Sequence, residues 1–269
     1  MPIITVDGRK VFYAETKGRE PAVVLVHSSG LDRRQWGAVR LSLESGRRVI
    51  IPDLPGYGRS APFHRGDEFS LDDDIRVVTA LLELTEEPVV LVGHSYGGFL
   101  ALKAAVRTPD KVAAVLVHEP VIWGVFYGLG DEEKIQAVER ANRDGRFMDP
   151  VLGGTEPWFR GFIEIWGGPG AWDALSRERR DAFLAVGPKV FAEVRALTSD
   201  RTPVTEYAAL SCPVVVTVGE GTQPLELHAC RALAAAAKGV RLVEIPGGHV
   251  APIAAPAPFV AELRALLAG

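Results

Sequence analysis

The sequence predicts an α/β protein: an eight-stranded, mostly parallel sheet with helices on both faces and one helical insertion. Three observations predict it. Short valine-rich apolar runs recur with helical patterns between them, as in a parallel sheet buried on both faces. One such run, ending at Val92, passes through Gly93-His94-Ser95-Tyr96-Gly97 into a helical stretch, Gly98 to Arg107. The alternation then stops after Val117 and resumes at Cys212-Pro213-Val214, which brackets an inserted segment.

The elements follow in order. Ile3 to Val6 and Lys10 to Thr16 flank Asp7-Gly8-Arg9 and read as a hairpin, because an Asp-Gly pair tolerates the positive φ angles of a tight turn. The apolar runs Ala22 to Val26, Arg48 to Ile51, Pro88 to Val92, Val112 to Val117, Pro213 to Val218 and Val240 to Ile245 read as the remaining strands. The clearest helix starts at Ser70, which can cap it while Asp73 answers three residues on; Asp72 and Asp74 suit the positive helix end. Its apolar positions Ile75, Val78, Leu81 and Leu82 recur at helical spacing. Between about Val121 and Pro203 the chain is helix-forming, broken by Gly-Gly and Gly-Pro, and carries Trp123, Trp158, Trp166 and Trp172. The expected division is a core of residues 1–121 and 203–269 and a helical cap of residues 122–202 over the carboxyl edge of the sheet.

Composition excludes several function classes. With 269 residues, 47% hydrophobic and 24% charged, the chain buries a large core as an ordinary globular protein does. A net charge of −4 offers no basic field for nucleic acid or an anionic membrane. The N-terminus shows no signal-peptide pattern, and no apolar run approaches the roughly 18 to 20 residues of a membrane helix. Cys212 and Cys230 have no CxxC spacing and read as reduced, buried thiols. A cytoplasmic protein is expected, acting on a small molecule, with a homodimer left open.

Chemistry concentrates at Ser95. In a Gly-x-Ser-x-Gly turn between strand and helix the apical residue takes a strained conformation, and Gly93 and Gly97 supply the room it needs. The turn exposes the serine hydroxyl and aims the first N–H groups of the helix at what it attacks. A serine needs a base. His249, in Pro246-Gly247-Gly248-His249, follows the last strand on a loop that its glycines let fold back. His27, His94 and His118 stand at strand ends or beside the turn and suit loop ordering; His64 and His228 read as exposed. An oxyanion needs two N–H donors, for which Tyr96 and Ser29 (in His27-Ser28-Ser29-Gly30) are the candidates.

These pieces, with Asp53-Leu54-Pro55-Gly56-Tyr57-Gly58-Arg59-Ser60, resemble the α/β-hydrolase-fold enzymes over essentially the whole chain. In the shared Asp-x-Pro-Gly-x-Gly-x-Ser segment, Asp53 and Ser60 suit loop ordering. The resemblance implies an aspartate after the Pro213 to Val218 strand, yet the sequence there is Gly219-Glu220-Gly221-Thr222, with threonine at the usual acid position. The triad is incomplete, or Glu220 has shifted, or the acid comes from elsewhere. Glu119, in His118-Glu119-Pro120, leaves the same sheet edge one strand earlier, and Pro120 biases it towards an extended backbone. The local pattern is similar to the fungal zearalenone lactonases, which use a glutamate at this strand end.

The expected activity is hydrolysis of a carboxylic ester or lactone of a small, largely apolar substrate through an acyl-enzyme. Ser95 attacks, His249 serves as base and then acid, Glu119 orients it, and Trp123, Trp158 and Trp166 contact substrate. No metal or cofactor is implied. The alternatives are a C–C bond hydrolase and, in another class, a non-hydrolytic receptor or cyclase on the same fold.

Overall fold

Asp7 and Gly8 both take positive φ, 48° and 77°, and the tight turn they form joins β1 (Ile3–Val6) to β2 (Arg9–Thr16). In the computed structural model of the chain, residues 2–43, 46–145 and 147–268 are described. The other strands are β3 (Arg19–Val26), β4 (Arg47–Pro52), β5 (Val89–His94), β6 (Val112–His118), β7 (Val214–Gly219) and β8 (Val240–Ile245). They form one eight-stranded sheet in the order β1-β2-β4-β3-β5-β6-β7-β8. β1 and β2 pair antiparallel, as do β2 and β4, and every other pairing is parallel.

Alternation within each strand splits the apolar side chains between two layers. Val23 and Leu25 of β3 pack with Trp36, Leu116 and Phe259 on one side of the sheet. Val24 and Val26 pack with Leu81, Phe99 and Leu100 on the other. The helices supplying these layers include α1 (Gly37–Leu43), α2 (Leu71–Leu82) and α3 (Tyr96–Arg107) before β6. Between β6 and β7 come α4 (Val125–Leu129), α5 (Glu132–Arg143), α6 (Glu156–Gly167), α7 (Ala171–Ala174), α8 (Arg177–Ala185), α9 (Gly187–Ser199) and α10 (Val204–Tyr207). Then follow α11 (Pro224–Ala236), α12 (Ala251–Ala254) and α13 (Ala257–Ala268). Among the described residues, the segment between β6 and β7 contributes helices and no strand. No helix of the described residues is long and apolar enough to cross a membrane.

Two local expectations change. The helix after the Gly-x-Ser-x-Gly turn begins at Tyr96, two residues before the predicted Gly98, because Ser95 itself is its N-cap. The capping box of Ser70 and Asp73 forms at the start of α2, but Asp74 is no surface charge at a helix end. It is fully buried and bonded to Lys189 and Tyr96.

Register brings the carboxyl ends of four strands level. His94 of β5 pairs with His118 of β6, His118 with Thr217 of β7, and Thr217 with Val243 of β8. Ser95 and Glu119 are therefore the first residues beyond one rung of the sheet. Reactive groups of open α/β sheets collect at this edge.

Candidate active site

Ser95 has φ 53° and ψ −117°, a region that side chains rarely occupy and that costs about 1–3 kcal/mol. The neighbouring glycines permit it. A Cβ on Gly93 would stand 2.3 Å from the Gly97 carbonyl oxygen, and one on Gly97 the same 2.3 Å from that of Val26. The Ser95 N–H donates to the His118 carbonyl at 2.9 Å, and its own carbonyl accepts from Phe99 at 3.0 Å. The apex is thus tied to β6 on one side and to the first turn of α3 on the other.

His249 is brought back over the sheet edge by its backbone. His94 Nε2 donates to the His249 carbonyl at 2.7 Å, and His118 Nε2 donates to the Gly248 carbonyl at 3.2 Å. Both imidazoles are buried, and burial pushes their pKa values down, His94 well below the usual range and His118 to about 4. Each is therefore neutral near pH 7 and able to hold a carbonyl without bringing charge to the loop. Gln35 donates to His94 Nδ1 at 3.1 Å and completes that bracket. Close contact of Gly219 with Gly247 locks the loop from below, since a Cβ on Gly219 would lie 2.5 Å from the Gly247 oxygen.

Glu119 is fully buried behind His249, with Oε2 at 2.7 Å from Nδ1. Its Oε1 accepts from the Gly219 N–H at 2.9 Å and from the Thr222 hydroxyl. Burial pushes its carboxyl up, but the His249 hydrogen bond, the His249 and His118 rings and the Thr222 hydroxyl outweigh that and hold it down at about 2. A carboxylate accepting at Nδ1 fixes the tautomer that leaves Nε2 to accept a proton. The backbone here is not the extended one that Pro120 favours. Glu119 has φ 42°. Strand pairing ends with its N–H on the Thr217 carbonyl at 3.0 Å, and the left-handed turn swings the side chain to the β7 end, where three donors offset the strain. Glu220, the other carboxylate considered, is exposed.

The loop after β3 meets a buried ion cluster. Lys189 Nζ lies 2.5 Å from Asp74 and 3.1 Å from Glu193, and all three are essentially excluded from solvent. The Tyr96 hydroxyl donates to Asp74 at 2.7 Å, and the Tyr57 hydroxyl donates to Glu193 at 2.7 Å while accepting from the Gly30 N–H at 3.2 Å. Of the two residues considered as oxyanion donors, Tyr96 is therefore anchored through its side chain to a cluster that joins α2 and α9, and Gly30, next to Ser29, reaches the same cluster through Tyr57. Sequence reasoning missed that cluster; its trace is Lys189 and Glu193 four apart in α9, the spacing of facing side chains on a helix.

A cavity of about 1770 Å³ runs over this edge, and Ser29, Ser95, Trp123, Trp158, Trp166 and His249 all line it. Trp166 stacks on His249 with ring centroids 4.1 Å apart. Trp123 donates its indole N–H to Glu226 at 2.9 Å. Trp158 is largely occupied by the helices' own aromatic core, stacked between Phe147 and Phe162. Asp53 ties its loop to the N–H groups of Arg33 and Arg59, and Ser60 donates to the Asp53 carbonyl. His27 holds the Leu54 N–H at 3.0 Å, while His64 and His228 are exposed. Cys212 is half-buried, not buried as expected, and Cys230 is buried; both are free. Among the described residues no group of three or more His, Cys, Asp or Glu is placed to hold a metal ion.

A model of the alpha/beta hydrolase family matches residues 23–262. The chain belongs to that family. This hydrolase is 28% identical over 244 residues to a pimeloyl-[acyl-carrier protein] methyl ester esterase of Chromobacterium violaceum, covering 89% of this chain and 91% of the relative. It is 33% identical over 113 residues to the enzyme of the same name from Nitrosospira multiformis, a match spanning 41% of this chain and 42% of that relative's length. Among solved structures, the enol-lactonase of Burkholderia xenovorans superposes with a TM-score of 0.69 over 100% of both chains at 21% identity, a likeness of fold.

Proposed function

We infer that this hydrolase cleaves a carboxylic ester or lactone of a small, largely apolar substrate through an acyl-enzyme on Ser95. The observation that carries the reading is the 2.7 Å bond between Glu119 and His249 Nδ1 beside a serine at the apex of a strand-to-helix turn. Ser95 Oγ attacks the carbonyl carbon while His249 Nε2 takes its proton. Glu119, a carboxylate at pH 7, stabilises the imidazolium that results. The N–H groups of Ser29 and Tyr96 receive the oxyanion.

Collapse of the tetrahedral intermediate breaks the acyl–oxygen bond, and His249 returns the proton to the leaving alkoxide. Water then attacks the acyl-enzyme by the same route and releases the acid. With a lactone, the alcohol and acid remain one molecule. Esterase relatives support this reaction class, and the mainly aliphatic and aromatic lining of the cavity supports an apolar substrate. Residues 122–202 serve as the cap, with Trp166 lying against the imidazole as an apolar lid.

A fluorophosphonate probe and p-nitrophenyl butanoate test the reading together. Labelling of Ser95 and release of p-nitrophenol are expected, with both lost in Ser95→Ala. Tight binding of an apolar ligand with neither labelling nor turnover would overturn it in favour of a receptor.

A further inference from the structure

Glu226, in the first turn of α11, is a fully buried carboxyl group in the cavity wall that the proposed reaction does not use. Its Oε2 accepts the Trp123 indole N–H at 2.9 Å, and its Oε1 has no hydrogen-bond partner in the protein. Other buried carboxyls among the described residues have a cation or an imidazole beside them: Asp74 and Glu193 face Lys189, and Glu119 faces His249. Glu226 has one indole. A side chain buried in this way is kept only if something completes it.

The surroundings decide its chemistry. Burial pushes the Glu226 carboxyl well above the usual range, and the negative charge of Glu119 adds to the effect, against a smaller lowering by the Trp123 bond. Burial with one N–H donor and no cation thus favours the neutral acid form. The indole N–H already occupies Oε2, so the acid's O–H belongs on Oε1, where the protein offers no acceptor. A carboxylate ligand would have to approach beside Glu119, which is ionised and supplies repulsion. An uncharged carbonyl oxygen accepts the O–H without that cost.

We propose that Glu226 is a substrate-recognition residue that donates a hydrogen bond to a second, uncharged carbonyl oxygen of the substrate, a keto group close to the scissile ester. The inference rests on the ester-hydrolase reading and narrows it from apolar esters to oxo-esters or oxo-lactones. Trp123 holds one oxygen of the carboxyl, which leaves the other as the free hydrogen-bonding atom of this residue in the cavity wall. Sites that hydrogen-bond a substrate group discriminate strongly against analogues that lack it.

Two matched ester pairs test this: p-nitrophenyl 3-oxobutanoate against p-nitrophenyl butanoate, and 3-oxobutyl butanoate against butyl butanoate. They place the extra carbonyl on the acyl and on the alcohol side respectively. Intrinsic reactivity cancels when the oxo preference in kcat/KM is compared between wild type and Glu226→Leu. A loss of tenfold or more of that preference is expected in at least one pair, with Glu226→Gln retaining part of it because its amide still donates. An unchanged preference in both pairs overturns the proposal.

Infrared difference spectra of Ser95→Ala against Ser95→Ala/Glu226→Gln give a readout independent of turnover. The C=O stretch of a protonated carboxylic acid should be present and should move when methyl 3-oxobutanoate is added. A carboxylate band there, or no response to the ligand, also overturns it. Absence of turnover with every ester, alongside a responsive acid band, would instead overturn the hydrolase reading and leave the recognition site standing.

Discussion

Thr222 donates its hydroxyl hydrogen to Oε1 of Glu119, and Glu119 in turn holds His249 Nδ1. The residue at the position where related enzymes were expected to carry an aspartate is thus a donor to the carboxylate that reaches the histidine from the neighbouring strand. The carboxylate facing His249 leaves the end of β6, and the Thr222 hydroxyl after β7 supports it.

Removing the charge at Glu119 is expected to be costly. Glu119→Gln should lower turnover by on the order of 10⁴ with little change in substrate binding, because the amide favours the wrong tautomer of His249. Glu220→Gln should cost less than about tenfold, roughly 1.4 kcal/mol of barrier. Thr222→Val should give an intermediate loss and move the acid limb of the rate profile upward, since a donor holding the carboxyl at about 2 is gone. Steady-state kinetics of the three variants across pH check the ranking, and the reverse order would remove Glu119 from its role.

Ser95→Ala should abolish ester hydrolysis, by roughly three to six orders of magnitude in turnover. Its thermal midpoint should match or exceed that of the wild type, since the hydroxyl makes no side-chain hydrogen bond at the cap. Activity within tenfold of wild type would show that the nucleophile lies elsewhere.

Stability should fall on the acid side of neutrality. The His118 imidazole is held by burial at about 4 instead of 6.5, so between those values the unfolded chain binds a proton that the folded one refuses. The penalty begins as pH falls through 6.5 and is complete below about 4, where it amounts to about 3 kcal/mol. Buried His27 and His94 shift in the same direction. Glu119, lowered from 4.5 to about 2, contributes stability that is present above 4.5 and lost as pH falls from there through about 2. Glu193 and Glu226, whose carboxyls burial raises, work in the opposite sense above about 4.5, but three histidines outweigh two carboxyls, so urea midpoints should drop as pH falls below 6.5. A midpoint independent of pH between 6.5 and 4 would contradict the neutral, buried state of these histidines.

Lys189→Met should destabilise the fold by about 3–5 kcal/mol, because it leaves the Asp74 and Glu193 carboxyls buried without their cation. The triple change Lys189→Met, Asp74→Asn, Glu193→Gln should recover much of that loss. Urea unfolding of both proteins measures the difference. Equal stability of Lys189→Met and wild type would mean that the cluster does not hold α9 to α2.

Local chemistry made much of this protein legible from its sequence. Valine-rich runs such as Val23 to Val26 suit strands buried on both faces, and Gly93 and Gly97 leave the room that Ser95 needs at φ 53°. Asp7-Gly8 and the Ser70–Asp73 capping box act within a few residues, so their outcomes follow from neighbours alone. The identity of the carboxylate facing His249 could not be read in the same way. Glu119 and His249 are 130 residues apart, and their meeting depends on the register that sets His94, His118 and Thr217 on one rung. The direction of Glu119 went against its local signal, because tertiary hydrogen bonds from Gly219, Thr222 and His249 outweigh the extended preference before a proline. Asp74, Lys189 and Glu226 follow the same logic. An acidic or basic letter in a helix looks solvated until packing buries it, and only packing decides which partner, if any, it receives.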